Sequence, residues 1–390
     1  MTDDAGGAGQ LRQLSSIHDV APGAWNALAR GDPFMRHEFL AALEYSGCVG
    51  PGTAWRPCHL VLENGGLEGA LPLYWKHDSR GEFVFDWSWA DAYERSGLRY
   101  YPKLLSSIPF TPATSARLLY REGANADAVA QRLVSGALRV AREAHASSLH
   151  VLFPTAAEGR HFVAHGFLER KGCQFHWRND GYASFDDFLS RFSSAKRKKA
   201  RRERRRIAEA AIHFEHLRGD EPSAADWDAI YRFYARTFER RGRAPYLNRR
   251  FFAAIAAAMP ESLVIMLARF QGQPIATAIC FRSADTLYGR YWGSLADFHS
   301  LHFEACYYQG IDYCIANGLR LFEPGTQGEH KISRGFTPSP TWSYHWLSNR
   351  TFYAAVEEFL HQETAHVDTY MDYLEEHAPY RRDLARELPP

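Results

Sequence analysis

The chain has 390 residues, 46% hydrophobic and 23% charged, with a net charge of +1; this is the composition of a folded globular protein and excludes disordered, collagen-like and small disulfide-rich classes. Six scattered cysteines with no Cys-x-x-Cys pair argue against a zinc ribbon or a disulfide framework and for a reducing, cytoplasmic setting. No apolar run approaches the roughly 18 residues of a membrane span, and the acidic, Gly-rich residues 1–10 lack the basic and apolar regions of a secretory signal.

In chain order, residues 57–76 predict a β-hairpin: CHLVLE, a tight Asn-Gly-Gly turn at 64–66, then LEGALPLYW. Aromatic strand regions are expected at 81–89 and 101–108, an amphipathic helix at 126–146 and a short strand at 148–153. Ser184 is placed to cap a helix whose first turn carries Asp186 and Asp187. Phe185, Phe188, Leu189 and Phe192 form its core-facing stripe, and the helix is expected to run on to about residue 211. Residues 263–282 predict a second hairpin around Gln-Gly-Gln at 271–273. A strand at 286–293, a helix at 302–317 and a strand at 319–323 follow, and an amphipathic helix at 351–376 should close the second unit. Helix–hairpin–strand–helix–strand occurs twice, which predicts two copies of one α/β unit. Their bounds are 1–183 and 213–390, with a basic linking helix at 184–212.

That linking helix concentrates the charge. Residues 196–206 (KRKKARRERRR) hold nine bases and one acid, a local +8, against 37 bases and 44 acids elsewhere, −7. Like charges four residues apart on a helix repel, so an anionic partner is expected in place of a merely solvated face. Lys196, Arg197, Lys198, Arg201, Arg202, Arg204 and Arg205 form the anion- or nucleic-acid-binding set. Transfer RNA ranks first as partner; an anionic membrane surface or lipid-linked precursor ranks second.

The densest chemistry lies in the Gly-rich loop 324–335, delivered by strand 319–323 at its carboxyl end, where open α/β sheets place ligands. Glu323, Gln327, Glu329, His330, Lys331 and Arg334 crowd around Gly325, Gly328 and Gly335. Forming an amide requires a base for the attacking amine and a donor for the carbonyl oxyanion. Glu329, Glu323 and His330 are the base candidates. The helix starting near residue 301 adds Glu304, with Tyr308 one turn on and on the same face. Trp292, His302, Tyr308, Gln327 and Arg334 are expected to bind substrate. No metal constellation, Walker loop, Gly-x-Ser-x-Gly elbow or Cys–His nucleophile stands out.

Several runs are similar to signatures of one bacterial family: YYPKLLSSIPFTPATSARLL (100–119), FHWRNDGYASFDDFL (175–189), LYGRYWGS (287–294), LHFEACYYQGIDY (301–313) and EPGTQGEHKISRGFTPSPTWSYHW (323–346). From about residue 15 to 380 the chain resembles the FemAB-like peptidoglycan biosynthesis/recognition proteins, a family of N-acyltransferases. The resemblance implies an α/β fold of two tandem GNAT-type domains with mixed sheets. Fem ligases, more distantly similar, use aminoacyl-tRNA to lengthen cell-wall precursor peptides. Lys331 resembles the lysine they place just before a Phe-Gly motif, here followed by Gly335-Phe336 in reversed order. The resemblance implies that Lys331 is the cation for an oxyanion or phosphate.

GNAT enzymes hold the CoA pyrophosphate on backbone N–H groups ahead of a helix, which points to Thr111, Thr114, Ser115 and Arg117 as a cofactor site. Pro109 and Pro112 offer no N–H there, and the Gln/Arg-x-x-Gly-x-Gly/Ala pattern of CoA binders is missing. The resulting expectation is direct transfer of an acyl or aminoacyl group to an amine of a peptide, cell-wall precursor or small metabolite. Aminoacyl-tRNA is the expected co-substrate, with no tightly bound cofactor. The alternatives are an acyl-CoA or acyl-carrier donor, or a non-catalytic module binding peptidoglycan or nucleic acid. Lys331 and neighbouring carboxylates should converge on one pocket.

Overall fold

The computed structural model describes residues 9–123, 125–295, 297–326 and 328–381. The chain forms two compact units, residues 1–172 with 340–367 and residues 173–339 with 368–390. These bounds differ from those expected at 183/184 and 212/213. The chain changes unit inside the strand Leu168–Arg178, inside the strand Thr337–Leu347 and inside the helix Arg350–Glu376. Regular elements that run through a boundary carry no linker composition, so the sequence does not mark them. The basic helix belongs to the second unit, and residues 350–367 of the last long helix belong to the first.

In the first unit, Gln10–Leu14, His59–Glu63, Leu67–Leu71 and Leu119–Tyr120 form an antiparallel sheet. The helix Ala126–Glu143 buries Val129, Leu133, Val134, Ala137 and Leu138 in the same core as Leu60, Leu62 and Leu71. The expected second hairpin strand is cut at Pro72: Leu67–Leu71 stays in this sheet while Tyr74–Lys76 joins another. Proline cannot donate to a ladder, and strands break or end there. In the other sheet Lys103–Ser106 lies between Tyr74–Lys76, antiparallel, and Ser148–Leu152, parallel. The strand expected at 81–89 is absent; residues 81–86 are a loop leading into the helix Trp87–Arg95. Its alternating aromatics mimic a strand, but Glu82 and Asp86 turn inward to the buried Lys103.

The second unit holds a sheet whose strands run, edge inward, Ile212–Arg218, Leu263–Phe270, Gln273–Arg282, Thr286–Ser294, Leu321–Glu323 and then Leu168–Arg178, the last counted from Cys173. Gln271 and Gly272 both take positive φ (50° and 76°), the two-residue turn that matches strand twist. The helix Ala224–Glu239, started by a Ser223–Asp226 capping box, packs so closely on Thr286–Ser294 that a Cβ on Gly293 would lie 1.9 Å from the Phe233 carbonyl oxygen. The expected continuous helix from 184 to 211 is broken. Phe185–Ser190 ends, Phe192 makes a β-bridge to Tyr380, and Ser194–Glu209 begins anew. The fold is α/β with mixed sheets, the class expected. Among the described residues no helix is long and apolar enough to cross a membrane.

Candidate active site

A cavity of about 210 Å³ opens where two strands of the second unit part. Thr286–Ser294 pairs with Leu321–Glu323 in parallel, but only over Thr286 to Tyr288. Beyond Tyr288 and Glu323 the partner turns away through Pro324 and Gly325, leaving Arg290, Tyr291 and Trp292 to line the opening. Gly289 permits the close passage of the departing loop, since a Cβ there would sit 3.2 Å from the Pro324 Cα. On the other side the register slips by one residue: Ile279 faces Tyr291 and Cys280 faces Gly289, so Arg290 is the extra residue of a β-bulge. Bulges re-aim a side chain, and this one puts Arg290 in the cavity wall.

The opposite wall comes from the helical segment Leu301–Ala316 and the turn Glu329–Arg334. A π-helical turn, Glu304–Tyr308, interrupts the former, and such insertions alter which residues share a face. Cys306 and Tyr307 face the cavity. Glu304 and Tyr308 face the basic helix instead, where Arg204 and Glu203 hold them. Lys331 is only 2% exposed yet lines the cavity, and its Nζ donates to the Gly325 carbonyl. Burial pushes its pKa down to about 7; the Arg290 charge pushes the same way, and Cys306 opposes. Trp292 and His302 meet edge to face at 5.3 Å. Burial, then the charges at His330, Arg334 and Lys331, hold the His302 pKa near 4, so its ring is neutral at physiological pH.

Of the residues expected to act together, Lys331, Trp292 and His302 line this cavity and the other described ones do not. Glu329 is exposed and accepts a hydrogen bond from Tyr370 at 2.8 Å. Glu304 is buried and accepts from Arg204 (3.2 Å) and Gln309 (2.7 Å). Arg334 is buried in an ion pair with Glu203 at 2.8 Å, and the Tyr308 hydroxyl donates to the same carboxylate at 2.6 Å. These last two are structural ties, not substrate contacts. Glu323 is buried just before the lining residue Pro324, and its charge acts on Arg290. His330 stands at the surface with Nε2 2.7 Å from the Tyr307 hydroxyl, which does line the cavity. Gln327 lies outside the described residues. The expected convergence of carboxylates on Lys331 is therefore replaced by Arg290, Tyr307 and Cys306. Arg290 and Tyr307 fall inside recognisable motifs, but an arginine on a strand and a tyrosine on a helix read as ordinary surface and core.

A family model described as peptidoglycan biosynthesis/recognition matches residues 16–382. The chain belongs to the FemAB-like family. No curated protein sequence matches it significantly. Among solved structures, it is similar to a C-terminal DUF2156 domain assigned to lysylphosphatidylglycerol synthetase from Agrobacterium fabrum. The TM-score there is 0.55 at 11% identity, over 89% of this chain and 97% of that one. It is similar to FemX (TM-score 0.53, 12% identity, 89% and 100% covered) and to L-PGS from Bacillus licheniformis (0.50, 11%, 83% and 96%). At these identities the likeness is one of fold.

In this FemAB-like chain the basic helix Ser194–Glu209 has two faces. Glu203, the single acid of the run 196–206, points inward to Arg334 and Tyr308. Arg204 also points inward, to Glu304 (3.1 Å) and Asp312 (2.6 Å), with its guanidinium over the Phe185 ring; it is therefore withdrawn from the anion-binding set. Lys198, Arg201, Arg202 and Arg205 are exposed, and Lys196 and Arg197 half-exposed. Arg201 contacts Asp186 at 2.8 Å, both side chains largely in solvent.

The expected cofactor loop is core. Thr111, Ser115 and Arg117 are buried and Thr114 half-buried. The Arg117 guanidinium donates to the carbonyls of Leu152, Ser115 and Ala113; the Ser115 hydroxyl donates to Asp32. The backbone N–H groups of Arg117 and Leu118 go to Glu158. These donors are spent inside the first unit, leaving Arg117 and Ser115 nothing to offer a pyrophosphate. Among the described residues no cluster of His, Cys, Asp or Glu forms a metal site.

The first unit hides a second charged cluster that the sequence reading did not single out. Lys103 donates to Glu82 and Ser79 at 2.8 Å and to Asp86. Tyr100 links Asp86 (2.7 Å) to His150 (3.0 Å), and His150 Nδ1 lies 2.8 Å from His345 Nδ1. Burial, then Lys103, hold the His150 pKa near 3.

Proposed function

We propose that the chain is an aminoacyltransferase that moves an aminoacyl group from aminoacyl-tRNA directly onto an amine of a peptide, cell-wall precursor or small metabolite. The observation that carries this reading is Lys331, almost wholly buried in the wall of a cavity set between parting strands. The carbonyl under attack develops negative charge next to that ammonium. A preorganised donor in a water-poor site stabilises such an oxyanion by roughly 10²–10³-fold. The proton of the attacking amine leaves through the Tyr307 hydroxyl to His330, a base candidate with a hydrogen-bonded path into the cavity, and returns to the departing ribose oxygen of the tRNA as the ester C–O bond breaks and the amide C–N bond is complete. Covalent catalysis has no obvious nucleophile here, because burial raises the Cys306 thiol far above its ordinary range. The exposed face of the basic helix supplies the contact for the tRNA backbone. Family membership supports transfer in peptidoglycan metabolism, and a tRNA donor puts the reaction in the cytoplasm.

The test offers purified protein charged tRNA and, separately, acyl-CoA, with peptidoglycan-precursor amines as acceptors. Labelling of an acceptor that ribonuclease abolishes, and that Lys331→Ala lowers by about 10²-fold or more, is the expected result. Labelling with acyl-CoA alone selects the other donor class. Acceptor binding without turnover for any donor leaves a binding module and overturns the reading.

A further inference from the structure

We propose that Arg290 anchors a monoanionic group of the acceptor substrate, a carboxylate or a phosphodiester, inside this cavity. The proposal rests on reading the cavity as the substrate site, and it goes beyond it by stating what the substrate must carry. Arg290 is the bulged residue of Thr286–Ser294, aimed into the wall, and its buried Nε has no hydrogen-bond partner among the described residues. Such an orphan is uncommon in folded proteins. Leaving a buried donor of a charged group unmade is costly, and a guanidinium cannot shed its proton to escape the cost. Partners within the second unit are largely spoken for: Glu304 serves Arg204, Glu203 serves Arg334, and Glu329 serves Tyr370. Tyr291, Glu323 and Cys280 act on Arg290, and of these Glu323 is the carboxylate.

The local charge count decides the class of ligand. Arg290 and a protonated Lys331 against Glu323 leave one positive charge, which one negative charge neutralises. The Nε edge of a guanidinium presents two parallel donors, the geometry that carboxylates and phosphates accept in pairs. A cavity of about 210 Å³ is small beside ordinary ligand pockets, so it takes the charged end of a substrate and not a whole nucleotide. The ester end of an aminoacyl-tRNA carries an ammonium, and its nearest phosphodiester lies beyond the terminal nucleoside, which a cavity of this size does not hold, so the anion belongs to the acceptor.

The experiment titrates the full chain with acetate and, in a second arm, with dimethyl phosphate. It follows the Arg290 Nε–Hε signal by NMR, assigned from its loss in Arg290→Lys. A saturable shift with acetate only assigns a carboxylate; with dimethyl phosphate only, a phosphodiester. Arg290→Gln should weaken whichever probe binds by about tenfold or more, with Arg290→Lys in between. Thermal melting verifies that both variants fold, and Arg290→Lys alone carries the comparison if the other does not. No saturable binding of either probe, or binding by Arg290→Gln equal to wild type, overturns the proposal. Turnover of Lys331→Ala is measured alongside: unchanged turnover removes the transfer mechanism without touching the anion site, so the two failures are told apart.

Discussion

Lys331 illustrates how burial decides what a side chain can do. In water its ammonium is charged over the whole physiological range, whereas here burial holds its pKa near 7. Two outcomes follow with definite signs. If the protonated form stabilises the oxyanion, turnover falls as pH rises through about 7. Lys331→Arg, always charged, should lack that limb in a pH–rate profile even where its rate is lower. For stability, the folded-state pKa lies below the ordinary value of 10.5, so the unfolded chain binds the extra proton between about 7 and 10.5. The cost of holding the ammonium is complete below about 7 and fades above it, and stability should rise with pH in that window. Lys331→Met should flatten the rise in urea unfolding at pH 7.5 and 9.5; parallel curves for the two proteins would refute the assignment. The sequence showed a lysine in a Gly-rich loop. Its burial against Gly325 and Phe175 depends on where residues far along the chain are placed, and no local pattern encodes that.

At the scale of the element, the basic helix is held by its exceptions. Glu203 is the single acid among the nine bases of residues 196–206, and it turns in, to Arg334. Arg334 in turn donates to the His330 carbonyl at 2.7 Å, so this ion pair fixes the turn that carries Lys331. Removing one partner of a buried pair strands the other charge and costs about 3–5 kcal/mol. Glu203→Ala should therefore lower stability by that order and loosen the turn, and the double change Glu203→Met with Arg334→Met should recover much of it. Arg205, exposed and paired with Glu209 at 3.7 Å, should be replaceable by Gln at almost no cost. The outward face makes a different prediction. Lys198, Arg201, Arg202 and Arg205 changed together to Gln should flatten the salt dependence of tRNA binding, each lost phosphate contact taking about 0.7–0.9 from the log–log slope. An unchanged slope in filter binding between low and moderate salt would mean that this face only meets water. The periodicity of residues 194–209 made the helix legible, and Glu203 amid the basic run 196–206 was the available signal for its inner face. The break after Ser190 was not legible, because it comes from Phe192 bridging to Tyr380, a contact between distant parts of the chain.

Across the whole molecule, composition misled wherever polar side chains find their partners inside the protein. Residues 108–117 resemble a ligand loop because Ser, Thr and Arg look alike in sequence whether they meet a phosphate or a carbonyl; here Arg117 meets three carbonyls. The second hairpin, the helices Ala126–Glu143 and Arg350–Glu376 and the loop 324–335 were legible because Gly turns and apolar periodicity are local. Charged residues 76, 82, 86 and 103 read as surface, yet all four are buried in the first unit. That cluster gives the chain a pH response unrelated to catalysis. Burial pushes the Glu82 carboxyl up to about 7, with Asp86 adding to the rise and Lys103 opposing it. Burial also acts on Asp86, but Lys103 and His150 outweigh it and bring Asp86 down to about 2. Asp86 is thus ionised at any working pH, and its contribution is lost only as pH falls below about 4 towards 2. Glu82 is the group that titrates in the physiological range. Between its ordinary value of 4.5 and about 7 the folded state keeps a proton that the unfolded chain has released, so stability should fall as pH rises across that interval, by at most about 1.4 kcal/mol per pH unit. Glu82→Gln mimics the protonated carboxyl and removes the titration. Urea midpoints measured from pH 5 to 7.5 should then decline more steeply for the wild type than for the variant, and identical slopes would show that Glu82 is already ionised in the fold at pH 5.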